Sequence, residues 1–260
     1  MYIATWNING IKARIDGLLS WLKEASPDVV CLQEIKSIDE NFPRGAIEEL
    51  GYNVETHGQK GFNGVAILSK APFEEILPRL PGDDEDVQAR YLEAVIGTGS
   101  SVVRVASIYL PNGNPVDTDK YPYKLAWMER LEAHAKGLLE LEEPLVLAGD
   151  YNVIPQPQDC YSPEAWENDA LFLQTTREKF YALTALGLTD AVRNISPHGG
   201  DFTFWDYQAG AWQKNNGIRI DHLLLSPQAA DRLVSCQIDK HVRSWEKPSD
   251  HVPVRAEFSF

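Results

Sequence analysis

Thiol chemistry is nearly missing from this chain. The three cysteines, Cys31, Cys160 and Cys236, are an odd and scattered set. They have neither the close pairs that bind zinc nor the even count of a disulfide scaffold. Cys31 lies in Val29-Val30-Cys31-Leu32 and reads as a small core residue. Long apolar runs are lacking as well, and nothing approaches the roughly 20 residues needed to span a bilayer. Met1-Tyr2-Ile3-Ala4-Thr5-Trp6 has neither the basic start nor the apolar centre of a secretion signal. These absences predict a protein with no membrane association in a reducing, cytoplasmic setting. Repeats, linkers and low-complexity stretches are also missing. The 260 residues have room for one large α/β domain or two small ones. Without a linker, the expectation is one catalytic domain over residues 1–260.

Positive charge is scarce: 24 Lys and Arg face 38 Asp and Glu, a net charge of −14. Taken as an average, that opposes a nucleic-acid partner. The charges are unevenly spread, however. Acid is concentrated in Asp83-Asp84-Glu85-Asp86 and between Glu140 and Glu143, most simply as solvated surface. Basic residues fall elsewhere: Lys12, Arg14, Lys36, Lys120, Lys124, Arg177, Lys179, Lys214 and Arg219. Gathered on one face, they would form a local positive rim on an acidic molecule.

What the chain does have is alternation of β-rich and helix-like segments. Strands are predicted at Tyr2–Asn7, Val29–Gln33, Val65–Ser69, Leu92–Ile96, Val102–Tyr109, Leu145–Gly149, Phe202–Tyr207, Arg219–Leu225 and Val252–Phe258. Helices are predicted at Ile15–Ala25, Ala46–Leu50, Asp119–Leu141 and Thr176–Leu186. In the third helix Leu125, Met128, Leu131, Ala135 and Leu138 recur at helical spacing and mark a buried face. From Val65 through Tyr109 consecutive strands follow one another without a long helix between them. That disfavours a purely parallel sheet and favours an α/β fold of two mixed sheets packed together, with helices outside.

Polar residues accumulate where these strands end. Asn7, Glu34, Asp150, Asn152, Asp221 and Ser249-Asp250-His251 each lie at or beside a strand terminus. Rigid strand ends facing one way can hold metal ligands and an acid/base pair within reach of one another. Oxygen ligands without thiolates suit a hard cation such as Mg²⁺, and Mg²⁺ with a carboxylate–histidine pair suits phosphodiester hydrolysis.

The segments Thr5-Trp6-Asn7-Ile8-Asn9-Gly10, Leu32-Gln33-Glu34-Ile35-Lys36, Ile108-Tyr109-Leu110-Pro111-Asn112, Gly149-Asp150-Tyr151-Asn152-Val153, Phe202-Thr203-Phe204-Trp205, Arg219-Ile220-Asp221 and Ser249-Asp250-His251-Val252-Pro253 occur in this order from end to end. Singly each is weak. Together they resemble the exonuclease III and abasic-site endonuclease branch of the endonuclease/exonuclease/phosphatase superfamily. The resemblance implies a four-layer α/β sandwich like deoxyribonuclease I, with its active site where the two sheets meet at one edge. It implies a monomeric DNA-repair nuclease using Mg²⁺, with Mn²⁺ as substitute. Such an enzyme cleaves double-stranded DNA 5′ to abasic sites, cleans blocked 3′ ends and degrades one strand from its 3′ end.

Roles follow from the resemblance residue by residue. Glu34 becomes the main metal ligand, with Asn7, Asp150 and Asn152 near the ion and Asp250 acting through water. Asp150 is the general base. Asn152, which would face the same side if the backbone stayed extended, donates to the phosphoryl oxygens. His251 binds the phosphate, with Asp221 behind it fixing its tautomer, while His222 points away. Tyr109 donates to the phosphate and Asn112 supports it. Phe204 and Trp205 form the wall of an abasic-sugar pocket, Phe204 being the better candidate because alternating strand residues cannot both face it. Arg90, Lys124 and Asn215, the last within Gln213 to Gly217, contact the DNA backbone. The pattern departs at Asn9, where some relatives carry aspartate, and between Asp159 and Thr176, where Leu171-Phe172 replaces a Gly-Phe pair.

Each residue also has an ordinary structural reading: a surface acid at Glu34, an Asp-x-Asn turn at 150–152, a core tyrosine at 109. Two rival functions share the motifs. One is a same-fold phosphodiesterase or phosphatase acting on RNA, inositol phosphates or sphingomyelin. The other is a binding module without catalysis, disfavoured because every proposed catalytic position is filled.

Overall fold

The structure, a computed structural model, describes residues 1–99 and 101–260. In chain order its first elements are β1 (Tyr2–Asn7), α1 (Ile11–Ala25), β2 (Val29–Gln33), α2 (Arg44–Glu48), β3 (Asn53–His57), β4 (Val65–Ser69), β5 (Phe73–Pro78), β6 (Tyr91–Gly97) and β7 (Val102–Tyr109). Then come α3 (Lys120–Leu139), β8 (Leu145–Asp150), α4 (Pro163–Trp166), α5 (Gln174–Ala185), β9 (Thr189–Asp190), α6 (Ala191–Ile195), β10 (Asp221–Leu225), α7 (Pro227–Ala230), β11 (Leu233–Ile238) and β12 (Val254–Phe258).

The strands form two six-stranded sheets, in the orders β11-β12-β1-β2-β4-β3 and β5-β6-β7-β8-β10-β9. Each sheet contains one parallel pair, β1/β2 crossed by α1 and β7/β8 crossed by α3, and its other pairs are antiparallel. A helix between the two strands is what lets a parallel pair form, since a short turn cannot make that return.

Three apolar layers hold the sheets and helices together. Between the sheets lie Ile3, Val29, Ile67, Val105, Val146 and Leu223, facing one another across the sandwich. The alternate residues of the same strands, such as Ala4, Trp6, Val30 and Leu32, turn outward onto Leu18, Trp21 and Leu22 of α1. On the opposite outer face, Ala106, Ile108 and Leu147 pack against Trp127, Met128 and Leu131 of α3 and Phe180 of α5. The central strands are therefore buried on both faces, and their sequences read as continuous apolar runs. Removing apolar side chains of this size from water stabilises the fold by about 1.5–3 kcal/mol each.

Several expected elements differ from those observed. Phe202–Tyr207 is not a strand: Phe204 alone makes isolated bridges, to Ile218 and His251. Its aromatic alternation reflects a loop whose side chains are anchored in two different clusters. Four strands were not expected, β3, β5, β9 and β11. All lie at sheet edges, where partly or fully exposed residues break the apolar pattern. Helix α1 begins at Ile11, a turn earlier than predicted, because Gly10 (φ 99°) supplies the bend without a capping side chain. In α3 the buried face holds Lys124 where Leu125 was expected, and Leu125 lies at the margin. No helix among the described residues is long and apolar enough to cross a membrane.

Candidate active site

Both sheets present the same end to one edge of the sandwich. In the first, Asn7 pairs with Gln33, and Glu34 follows immediately. In the second, Tyr109, Asp150 and Asp221 lie abreast, since Asp150 is the register partner of both others. Below them a buried polar bridge joins the sheets: Gln33 Nε2 donates to Ser107 Oγ (3.0 Å), which donates to the Leu32 carbonyl (2.9 Å). Thr5 Oγ1 donates to Gln33 Oε1 at 3.1 Å. Such a satisfied network fixes the spacing of the sheets where the functional side chains emerge.

One amide ties the two sheets' carboxylates together. Asn7 Nδ2 donates to Glu34 Oε1 and to Asp150 Oδ2, both at 2.9 Å. Its Oδ1 accepts from the Asn9 N–H at 3.0 Å, leaving a lone pair for a cation. Glu34, Asp150 and His251 bring ligand atoms within 4.8 Å of one another. Glu34 also pairs with Lys36 (3.0 Å), whose ammonium donates to Asn9 Oδ1 at 2.5 Å. Asn9 Nδ2 in turn donates to Asp250 Oδ1 at 3.0 Å. Asp250 thus stands outside the central trio, joined to it through Asn9 and Lys36. Burial works to raise the Glu34 carboxyl, but the Asn7 amide and the Lys36 ammonium outweigh it and hold the group below its usual range.

His251 is buried with Asp221 behind it, 2.9 Å from Nδ1 to Oδ2. Its other nitrogen faces Asp150, 3.8 Å from Oδ2. Burial alone would strip the ring's proton, yet Asp221 and Asp150 more than offset it and push the ring up to about 10. Burial pushes the Asp150 carboxyl up to about 7 against the opposing charge of His251. Between these two groups the proton belongs on the ring, which leaves Asp150 as the one able to accept another. Burial, then the charges of Glu34 and Asp150, hold the Tyr109 phenol well above its ordinary value, so it is a hydrogen-bond donor. Two further contacts seat the His251 loop: Ser249 Oγ donates to the Asn7 carbonyl at 2.7 Å, and Trp6 Nε1 to the His251 carbonyl at 3.1 Å.

Asn152 reaches the site by a different path from the one expected. The backbone does not stay extended after Asp150, because Asn152 takes a left-handed φ of 48°. Its N–H bonds back to Asp150 Oδ1 (2.9 Å), a local turn of the kind Asp favours. The side chain is then fixed between the second sheet's loops: Nδ2 donates to the Leu110 carbonyl (2.9 Å) and Oδ1 accepts from Asn112 Nδ2 (3.1 Å). Nδ2 retains one free proton.

One aromatic and two basic assignments need correction. Trp205 is 0% exposed in the cluster against α1 and offers no wall to a ligand. Its indole N–H donates to Asn215 Oδ1 (3.2 Å), so Asn215, itself exposed, braces the core on one side. Phe204 stays partly open, its ring 5.0 Å from that of His251. Lys124 is also 0% exposed and cannot touch a DNA backbone. Arg219 is buried in ion pairs with Asp159 (2.8 Å) and Asp190 (2.7 Å) rather than on a rim. A charged side chain's burial is invisible in sequence until its partner is known. Arg90 lies with its guanidinium 4.9 Å from the Tyr109 ring, and with Lys120 it lines a hollow beside Asn112. Lys12, Arg14 and Lys247 line a cleft of about 490 Å³ next to Ser249. His222 points away from the site as expected, to the Val153 carbonyl.

The sequence reading also missed several site residues. Ile218 and Ile220 join Ile154, Leu171 and Phe172 in a small apolar cluster against which Phe204 packs. They flank Arg219, and alternation around that residue was the available signal. Thr203, whose Oγ1 accepts from the Ile220 and Asp221 N–H groups (3.2 Å each), carried no such signal.

Two mixed sheets between helices, with one carboxylate–amide–imidazole site at their shared edge, define a four-layer α/β-sandwich protein with a pre-built polar centre. The sequence model of the Endonuclease/Exonuclease/phosphatase family matches residues 4–251, and the chain belongs to that family. It is 36% identical over 266 residues to exodeoxyribonuclease III of Haemophilus influenzae, covering 99% of this chain and 100% of that protein. An AP endonuclease from Archaeoglobus fulgidus superposes with a TM-score of 0.95 at 37% identity, covering 100% of both chains. A 3′-5′ exonuclease from Neisseria meningitidis gives a TM-score of 0.95 at 36% identity, again over 100% of both.

Proposed function

We propose that this chain is a cytoplasmic DNA-repair nuclease whose whole length, acting as a monomer, hydrolyses phosphodiesters of double-stranded DNA. The reaction includes cleavage 5′ to abasic sites, removal of 3′ blocking groups and 3′-to-5′ degradation. The observation that carries the reading is the trio of Glu34, Asp150 and His251 with ligand atoms within 4.8 Å. The relatives support it: an exodeoxyribonuclease III, an AP endonuclease and a 3′-5′ exonuclease, each matched along its full length.

The donors fit a hard divalent cation, Mg²⁺ with Mn²⁺ as substitute: Glu34 and Asp150 carboxylates, the Asn7 amide oxygen and no thiolate. Glu34 would be the principal ligand, with Asn152 as a further candidate and Asp250 further out, joined to Glu34 through Asn9 and Lys36. When bound, the ion supplies charge neutralisation at the scissile phosphate and at the departing 3′ oxygen.

The chain's own groups then divide the work. Asp150 takes a proton from the attacking water, whose oxygen bonds to phosphorus as the P–O3′ bond breaks. The departing O3′ takes a proton from solvent, so that a 3′-hydroxyl and a 5′-phosphate result. The protonated His251 ring, held by Asp221, donates from its free nitrogen to a phosphoryl oxygen, and Tyr109 and Asn152 donate to the others. Donors already aimed where charge develops need no reorganisation during the reaction. Phe204, packed on the buried Ile218 and Ile220, keeps a partly open apolar face beside His251. That face suits a deoxyribose without its base, extruded from the duplex.

The test is incubation of purified protein with a duplex carrying one tetrahydrofuran abasic analogue, with Mg²⁺ and then with EDTA. Parallel reactions contain a 3′-phosphate duplex, RNA and inositol phosphates. A nick immediately 5′ to the analogue that EDTA abolishes is the expected result. Turnover confined to RNA or inositol phosphates would overturn the reading.

A further inference from the structure

Lys124 is an anomaly that the proposed chemistry does not use. It occupies the sheet-facing side of α3 and is 0% exposed. Among the described residues no carboxylate lies within ion-pair distance of it. Taking an ammonium out of water without such a partner is costly, and a methionine would fill the same volume with no charge to desolvate. What the ammonium finds instead is two backbone carbonyls: Asn112 O at 3.0 Å and Asn152 O at 2.5 Å.

Those carbonyls belong to the two residues whose side chains meet over the site. Asn112 Nδ2 donates to Asn152 Oδ1 at 3.1 Å, so Lys124, Asn112 and Asn152 form a closed ring of hydrogen bonds. Asn152 stands in the left-handed region at φ 48°, a conformation that persists only where the surroundings enforce it. A buried Nζ–H donor on its carbonyl is such an enforcement. The Asn112 loop is shaped to the same lysine. Gly113 has φ 90°, and a Cβ there would come within 2.7 Å of Lys124 Cδ. The loop therefore closes directly over the lysine stem.

We propose that Lys124 is a positioning residue: through its two carbonyls it aims the Asn152 amide, and with it Asn112, at the reacting phosphate. The inference rests on the reading of Asn152 as a phosphate donor. It predicts that loss of the ammonium lowers the rate of the chemical step without weakening DNA binding, because Lys124 touches no DNA.

The experiment is steady-state and single-turnover cleavage of the abasic-analogue duplex in Mg²⁺ by wild type, Lys124→Met, Asn152→Ala and the double variant. Thermal melting is recorded for each. Displacing a transition-state donor by about an ångström costs on the order of 100-fold. Lys124→Met is expected to lower kcat by about 10- to 100-fold while KM stays within about 2-fold. In the Asn152→Ala background the same change is expected to cost less than about 3-fold, since the group it aims is gone. Lys124→Gln, which keeps an N–H donor, is expected to fall between wild type and Lys124→Met, and it replaces the latter if that variant fails to fold.

Four results would overturn the proposal. One is a lowered melting temperature with kcat unchanged, which a purely structural lysine would give. Another is an effect confined to KM. A third is a full, multiplicative loss in the double variant. Wild-type protein inactive on the duplex would remove the functional reading and this inference together.

Discussion

Residues at the centre of the site sit in backbone conformations that a free chain avoids. Glu34 and Asn152 both have φ of 48°, and Asn9 has 47°, a region that L-residues with side chains enter at a cost of about 1 kcal/mol or more. Each turns the chain within two residues of a strand end and so sets a polar side chain at the site's edge. Glu34 is partly open, its side chain 19% exposed, so its removal leaves no buried void. Glu34→Ala is therefore expected to fold normally and bind duplex DNA nearly as well as wild type. Its Mn²⁺ affinity should drop by at least about tenfold, and its cleavage rate by about 100-fold or more. Isothermal titration with Mn²⁺ and a gel-based cleavage assay would check both. Unfolding of the variant would instead make the residue structural. At this scale the sequence was most informative about acids and amides, because carboxylates directly after apolar strands have few structural reasons to be there. It misled at Lys124, Trp205 and Arg219, whose side chains turn inward to Asn152, Asn215 and Asp159. The partners of Lys124 and Arg219 lie 28 and 60 residues away in sequence.

Among elements, strand pairing sets how closely the functional residues approach. β7 and β8 meet at Gly149, where a Cβ would lie 2.0 Å from the Ile108 carbonyl oxygen. That closeness is what brings Tyr109 and Asp150 side by side in register. Gly149→Ala must push the two strands apart, and it is expected to destabilise the protein by about 2 kcal/mol or more. The urea midpoint would report this, and an unchanged midpoint would show that the strands yield without cost. Central strands were legible because both faces are buried: Val29–Gln33 and Val65–Ser69 have the bounds that their apolar runs predicted. Edge strands were not. Asn53–His57, Phe73–Pro78 and Leu233–Ile238 pair on one side only and have mostly half-buried or exposed residues, which removes the apolar run that marks a central strand. The reverse error, a strand at Phe202–Tyr207, arose because aromatic residues anchored in separate clusters imitate alternation.

For the whole molecule, a net charge of −14 has to coexist with DNA binding. Lys12, Arg14 and Lys247 line one cleft together with Asp16 and Glu246, and with Lys36 at the site they leave a small positive excess where the substrate would lie. The acidic run Asp83 to Asp86 is held elsewhere, against Arg130. Such an arrangement makes affinity strongly salt-dependent, because phosphate contacts release counterions. Lys12, exposed at the cleft, is expected to contribute one such contact. In fluorescence anisotropy, Lys12→Ala should weaken binding about equally for different duplex sequences and make the slope of log K against log salt shallower by about 1. An unchanged slope would place the DNA on another face. The overall α/β sandwich was readable from the order of the segments, whereas the gathering of charge needed coordinates.

Single-turnover cleavage of the abasic-analogue duplex by Asp150→Asn, at saturating Mg²⁺ and with folding verified, is the most direct test of Asp150 as the base. The substitution keeps the size of the side chain and removes only its ability to take the water's proton. The rate should fall by about 100- to 10,000-fold. A variant cleaving at close to the wild-type rate would contradict the assignment.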